Sequence, residues 1–187
     1  MIHLYAFVQG LRELEPGLEA RPFGRLLAVT GDEDPDPLRF GLAVERLRET
    51  ADAVLPVRFG ERFAGEEELA AAIAPRLEAL EHRLSHVAGC VEVGVRIVST
   101  EGAGGTGGGA GYMAARLREQ RAVEEIHEAL AAAARDSVRT NLDAGYLVEC
   151  DEVDRFSLSV ARLLESHPAL DAVCTGPWAP YSFAAAT

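Results

Sequence analysis

The sequence predicts an α+β protein of two small domains, the C-terminal one ferredoxin-like. Three observations point there. The 187 residues are 48% hydrophobic and 26% charged, a balance that gives a folded chain a core to bury. Short apolar runs rich in β-branched and aromatic residues are mixed with longer stretches of helical periodicity. From residue 90 onward these segments follow the order β-α-β-β-α-β, the split βαβ arrangement with both helices on one face of an antiparallel sheet.

Residues 2–8 (IHLYAFV) are apolar throughout and predict a buried strand. A loop with Pro16 and Gly17 follows, then a second strand over 25–30 (RLLAVT), antiparallel to the first. The acidic run GDEDPDP at 31–37 carries two prolines and predicts a solvated turn. Its aspartates imitate the start of an EF-hand loop. However, Pro37 stands at the required glycine and Ala43 at the terminal glutamate. Residues 38–51 predict an amphipathic helix with Leu38, Leu42, Val44, Leu47 and Ala51 on its apolar side. VLPVRF at 54–59 predicts a strand, placed at a sheet edge or an irregularity by Pro56.

Glu66, Glu67 and Glu68 suit a helix N-terminus. Leu69, Ile73, Leu77, Leu80, Leu84 and Val87 continue as the stripe of a long helix, kinked or restarted at Pro75 and closed by Gly89. CVEVGVRIV at 90–98 predicts a strand. GAGGTGGGAG at 102–111 predicts a flexible loop. The helix expected over 112–135 puts Met113, Leu117, Val123, Ile126 and Leu130 on one side. A short strand around Val138, a strand at 145–150, a helix at 152–166 and a strand at 169–175 complete the order. The expected division is an N-terminal α+β domain at 1–64, a linking helix at 65–89, the ferredoxin-like domain at 90–176 and an aromatic tail at 177–187.

Eighteen basic residues, all arginine, face 30 acidic ones, a formal net charge of −12. That balance argues against nucleic-acid binding and against an anionic membrane surface. The lack of lysine excludes Schiff bases and phosphate-loop lysines. Cys90, Cys150 and Cys174 lack CxxC spacing and stand in apolar or strand-like stretches, so buried free thiols in a reducing, cytoplasmic setting are expected. The opening residues lack the features of a signal peptide, and no apolar run suits a membrane span.

Chemistry-bearing patterns are sparse. Gly102, Gly104 and Gly107 match a dinucleotide fingerprint by spacing, but Glu149 and Asp151 come too late for its ribose-binding acid. His82 and His86 share a helix face and could hold a metal only with a third ligand; as partly charged groups they also suit a helix C-terminus. His3, His127 and His167 stand alone, and no serine shows a nucleophile elbow. No catalytic, metal or cofactor residue is assigned, and no cofactor is expected. Arg58, followed by Phe59, is a solvent-facing strand residue, a partly buried arginine paired with a carboxylate, or an interface anchor. Trp178, Tyr181 and Phe183, stiffened by Pro177 and Pro180, are either interface anchors or a cap folded onto the core.

Four segments, VLPVRFG at 54–60, VEVGVRI at 91–97, NLDAGYLV at 141–148 and above all GPWAPYSF at 176–183, resemble those of the gas vesicle accessory family GvpF/GvpL. The opening MIHLYAFV also fits, so the likeness spans the chain. The chain is short for that family, and the Gly-rich loop is local to it. The resemblance implies a two-domain α+β protein and a non-enzymatic role in building gas-filled buoyancy shells in the cytoplasm. It implies binding to the small apolar shell protein (GvpA type) and to other accessory proteins. The resemblance transfers no binding residue by position; the candidate protein-binding residues are those read from the sequence itself, Arg58, Phe59, Trp178, Tyr181 and Phe183. A small-molecule-binding regulatory module and a nucleotide enzyme using the Gly-rich loop are the alternatives from other classes.

Overall fold

The apolar run at the start forms β1 (Ile2–Gln9), the central strand of the first sheet and buried from Ile2 to Val8. In this computed structural model, residues 1–100, 109–139 and 143–184 are described, without the side chains of residues 109 and 110. The architecture is α+β with two antiparallel sheets. The chain divides into one unit of Met1–Val91 with Trp178–Thr187 and a second of Glu92–Pro177.

In the first unit, β1 pairs antiparallel with β3 (Leu26–Gly31), as the alternating apolar runs predict. The register slips between Leu4 and Ala6, so Tyr5 sits at an irregularity of β1. Sequence reasoning misses β2 (Leu18–Phe23), which pairs with β3 at the outside of the sheet. LEARPF resembles loop because it is half polar and contains Pro22, features an edge strand tolerates. The helix α1 (Pro37–Thr50) starts where Asp36 caps it, its carboxylate accepting the N–H groups of Leu38 and Arg39 at 2.9 Å each. Asp36→Ala should lower stability by about 0.5–2 kcal/mol, read as a lower urea midpoint with unchanged slope.

The buried face of α1 is Phe40, Ala43, Val44 and Leu47. The expected stripe is corrected here: Leu38 and Leu42 are 72% and 62% exposed. The observed set keeps the i, i+3, i+4, i+7 spacing more strictly, and it turns the two leucines away. The strand at Pro56 is shorter than expected. β4 (Ala53–Pro56) lies beside β1 at the other end of the sheet, where a residue without an N–H costs little. A two-residue strand, β5 (Arg62–Phe63), also pairs with β1.

The long stripe is interrupted as Pro75 requires. α2 (Glu66–Ile73) passes through a 3-10 turn at Ala74–Arg76 into α3 (Leu77–Val87), burying Leu69, Ile73, Leu80, Leu84 and Val87. Gly89 follows at φ 71°, its N–H donating to the Asp52 carbonyl at 3.0 Å.

The second unit carries β6 (Cys90–Ser99), α4 (Gly109–Ala133), β7 (Asp136–Arg139), β8 (Asp143–Glu149), α5 (Val153–Glu165) and β9 (Leu170–Trp178), apart from the outermost residues of β6 and β9, which belong to the first. Its sheet runs β7-β8-β6-β9. The core gathers Val93, Val95, Ile126, Leu130, Tyr146, Phe156 and Val160 with their neighbours. Only the C-terminal half of the α4 stripe joins it. Met113 and Leu117 are 59% and 51% exposed, which corrects their assignment to the apolar side. The cysteines are corrected too: Cys90 is buried, whereas Cys150 and Cys174 are exposed. Cys150 begins a 3-10 turn just past β8, and Cys174 lies on β9 at the sheet edge, so strand-like sequence did not mean burial. The fingerprint glycines Gly102, Gly104 and Gly107 lie outside the described residues.

Candidate functional site

The aromatic tail splits between two roles that the sequence left open. The chain passes through a cis Gly176–Pro177 bond, ends β9 at Trp178 and closes in a four-residue helix, α6 (Tyr181–Ala184). The small residues face inward: Ala179 and Ala184 are 0% and 6% exposed, and Pro180 is buried. Two polar clamps hold them. The Ala179 N–H donates to Glu45 Oε1 at 3.0 Å, and Arg83 Nη1 donates to the Ala184 carbonyl at 3.4 Å. Glu45 is itself steadied by Arg48, whose Nε donates to it at 2.8 Å.

The large aromatics stay partly outside. Trp178 is 49% exposed, Tyr181 39%, and Phe183 is half-buried. Burial, with Glu45 adding, still pushes the Tyr181 hydroxyl pKa up to about 12, so it remains a neutral donor at any physiological pH. Indole and phenol rings half in water, on a backbone tied to Glu45 and Arg83, suit a protein contact, because that backbone has less freedom to lose on docking.

Arg58 and Phe59 belong to the same unit. β4 ends at Pro56, so Arg58 is a turn residue rather than the strand residue expected. It is exposed, which sets aside the buried arginine alternative. Phe59 is exposed by half and meets Phe40 edge-on, ring centroids 5.4 Å apart. Phe40 in turn stacks on Tyr5 at 5.0 Å. Helix α1 thus borders both candidate regions: Phe40 supports Phe59, and Glu45 holds the tail.

His82 is exposed and His86 intermediate; no group of metal-ligating side chains occurs among the described residues. No helix there is long and apolar enough to cross a membrane.

One buried polar pair escaped sequence reasoning. His127 Nδ1 lies 2.5 Å from the Tyr146 hydroxyl, with His127 5% and Tyr146 0% exposed. Burial lowers the His127 pKa, aided by Arg139 and opposed by Glu124, and raises that of Tyr146 to about 12. The two side chains come from α4 and β8, 19 residues apart, and no local spacing connects them.

The chain as a whole is similar to known proteins. The family model described as "Gas vesicle synthesis protein GvpL/GvpF" matches residues 28–104 and 111–185. Gas vesicle protein F2 of Halobacterium salinarum is 30% identical, over 84% of this chain and 76% of that protein. Gas vesicle protein F of Haloferax mediterranei is 30% identical over 70% of this chain and 59% of that protein. The crystal structure of GvpF from Anabaena sp. superposes with a TM-score of 0.79 at 15% identity, covering 100% of this chain and 96% of that one. That of GvpF from Microcystis aeruginosa gives 0.80 at 16% identity and 98% of both chains. At such identities these two structures speak to the fold.

Proposed function

The chain belongs to the GvpL/GvpF gas vesicle protein family, which has a role in gas vesicle formation, and from that premise we propose that it is a non-enzymatic assembly factor or minor structural component. It binds the small apolar shell protein of the GvpA type, and other accessory proteins, in the cytoplasm at the growing vesicle. Family membership carries this reading. The partly exposed Trp178 and Tyr181 support it, with Phe183, Arg58 and Phe59 as the remaining contact candidates. The net charge of −12 supports it as well, since a strongly charged partner keeps a complex with an apolar protein in solution. The β-α-β-β-α-β order and the strand sequence β7-β8-β6-β9 support a ferredoxin-like reading of the second unit.

The test is capture of freshly produced shell protein by the purified full chain. Saturable capture is expected. Failure to capture it under any condition would overturn shell binding, and would direct the search to the accessory proteins and then to a small-molecule ligand. Deleting GPWAPYSF outright is a poor control, because it uncovers the surface that Ala179, Pro180 and Ala184 close. Point substitutions at the aromatics are the better instrument.

A further inference from the structure

We propose that a cleft in the first unit, floored by Tyr5 and edged by Glu33 and Asp34, is a docking site for a cationic side chain carried on an apolar segment of a partner protein: an arginine or lysine flanked by aliphatic residues on an amphipathic helix. The cleft encloses about 350 Å³ beside the N-terminal half of α1. It lies outside the tail and the Arg58–Phe59 turn. The inference rests on the binding role proposed above only in taking the partner to be a protein.

Tyr5 is the first observation. It is 6% exposed, and its hydroxyl has no hydrogen-bond partner among the described residues. The stack on Phe40 fixes the ring, so the hydroxyl is a preset polar group at the base of an open cleft. The hydroxyl is not among the fully buried unpaired polar atoms, so it meets solvent through the cleft and can accept a hydrogen bond from a ligand there.

Charge is the second. Glu33 and Asp34 act on the Tyr5 hydroxyl strongly enough to raise its pKa further, after burial. Glu33 has no ion-pair partner among the described residues, and Asp34 faces only His3, at 3.8 Å. Arg39, which also lines the cleft, lies 3.7 Å from Asp36, and Glu15 is held by Arg46 at 3.3 Å. The cleft therefore favours a cation and repels a carboxylate or phosphate.

The lip is the third. Leu42 lines the cleft and Leu38 precedes it by one turn of α1, both well exposed. With Pro16 and Leu18, which also line the cleft, they offer apolar surface to the aliphatic stem of the cation and to its neighbours. A bare metal ion fits worse, because no group of three candidate ligands occurs among the described residues.

The experiment uses the full chain labelled with 3-fluorotyrosine. The four tyrosines give separate fluorine resonances, and Tyr5→Phe identifies that of Tyr5. The probe is a short amphipathic peptide with one central arginine between leucines, compared with twins carrying citrulline or glutamate there. The arginine peptide should move the Tyr5 resonance saturably and more weakly as salt is added. The citrulline twin should bind about tenfold more weakly, the glutamate twin not at all. Glu33→Gln combined with Asp34→Asn should weaken the arginine peptide about tenfold in a protein of unchanged melting behaviour. Absence of peptide binding, binding that leaves the Tyr5 resonance in place, or equal affinity for arginine and citrulline would overturn the site. Shell-protein capture, run in parallel, separates the two readings. Capture without peptide binding removes the cleft and leaves the assembly role. Peptide binding without capture does the reverse.

Discussion

Tyr146→Ala is expected to unfold the second unit at temperatures where the parent protein is intact. Tyr146 is fully buried at the middle of its core and packs against Phe156, ring centroids 5.2 Å apart. Removing a buried aromatic ring costs about 3–5 kcal/mol in lost transfer energy and cavity. The substitution also strips His127 of its hydrogen-bond partner, which adds about 1–3 kcal/mol for an unsatisfied buried group. Domains are stable by only about 5–15 kcal/mol, so the sum removes most of the margin. Tyr146→Phe separates the terms: it keeps the ring and should cost only the second. A Phe variant as damaged as the Ala variant would show that packing was not the larger effect.

The same pair predicts a pH dependence. Burial lowers the His127 pKa, so the folded protein holds the neutral imidazole more firmly than the unfolded chain does. The contribution is complete above the ordinary value of 6.5. It declines as the pH falls below 6.5 toward the lower folded-state value, because only the unfolded chain gains the proton there. Urea midpoints at pH 7.5 and 5.5 should therefore differ more for the parent than for His127→Gln. Equal differences would mean that His127 does not titrate with folding.

That pair illustrates what the sequence could not show. Periodicity reported β1, β3 and the α2–α3 stripe well, since each buries residues whose spacing is written locally; for α1 it gave the helix but not its buried face. Pro56 and Pro75 were legible for the same reason: a missing N–H constrains its own neighbourhood. The strand β2 was hidden because an edge strand with one wet face, carrying Glu19 and Arg21, looks like loop. Leu38 and Leu42 misled because hydrophobicity does not reveal whether a position faces the core or a partner. Tyr5 looked like one more apolar-run residue; its stack on Phe40, 35 positions away in sequence, is not written locally. The tail was legible as a motif, but its division into inward alanines and outward aromatics needs Glu45 and Arg83, which no local pattern links to it.

Trp178→Ala should weaken shell-protein binding by about 30-fold or more while the protein stays folded. Central aromatic anchors of interfaces cost about 2 kcal/mol or more on truncation, and every 1.4 kcal/mol is tenfold. The cost to folding is smaller, since half of the indole is already in water. Its buried half contributes about 1 kcal/mol. Phe183 is the internal contrast. It is more buried than Trp178, so Phe183→Ala should fall more on melting temperature and less on affinity. Glu45→Gln probes the clamp instead. The amide still accepts the Ala179 N–H but loses the charge that strengthens that bond and attracts Arg48, so binding should weaken modestly with every aromatic in place. The order Trp178→Ala, then Glu45→Gln, then parent in affinity identifies a preorganised aromatic contact. Unchanged affinity in a folded Trp178→Ala protein would remove the tail from the binding surface. A large loss for Glu45→Gln with none for Trp178→Ala would place the contact on α1 itself.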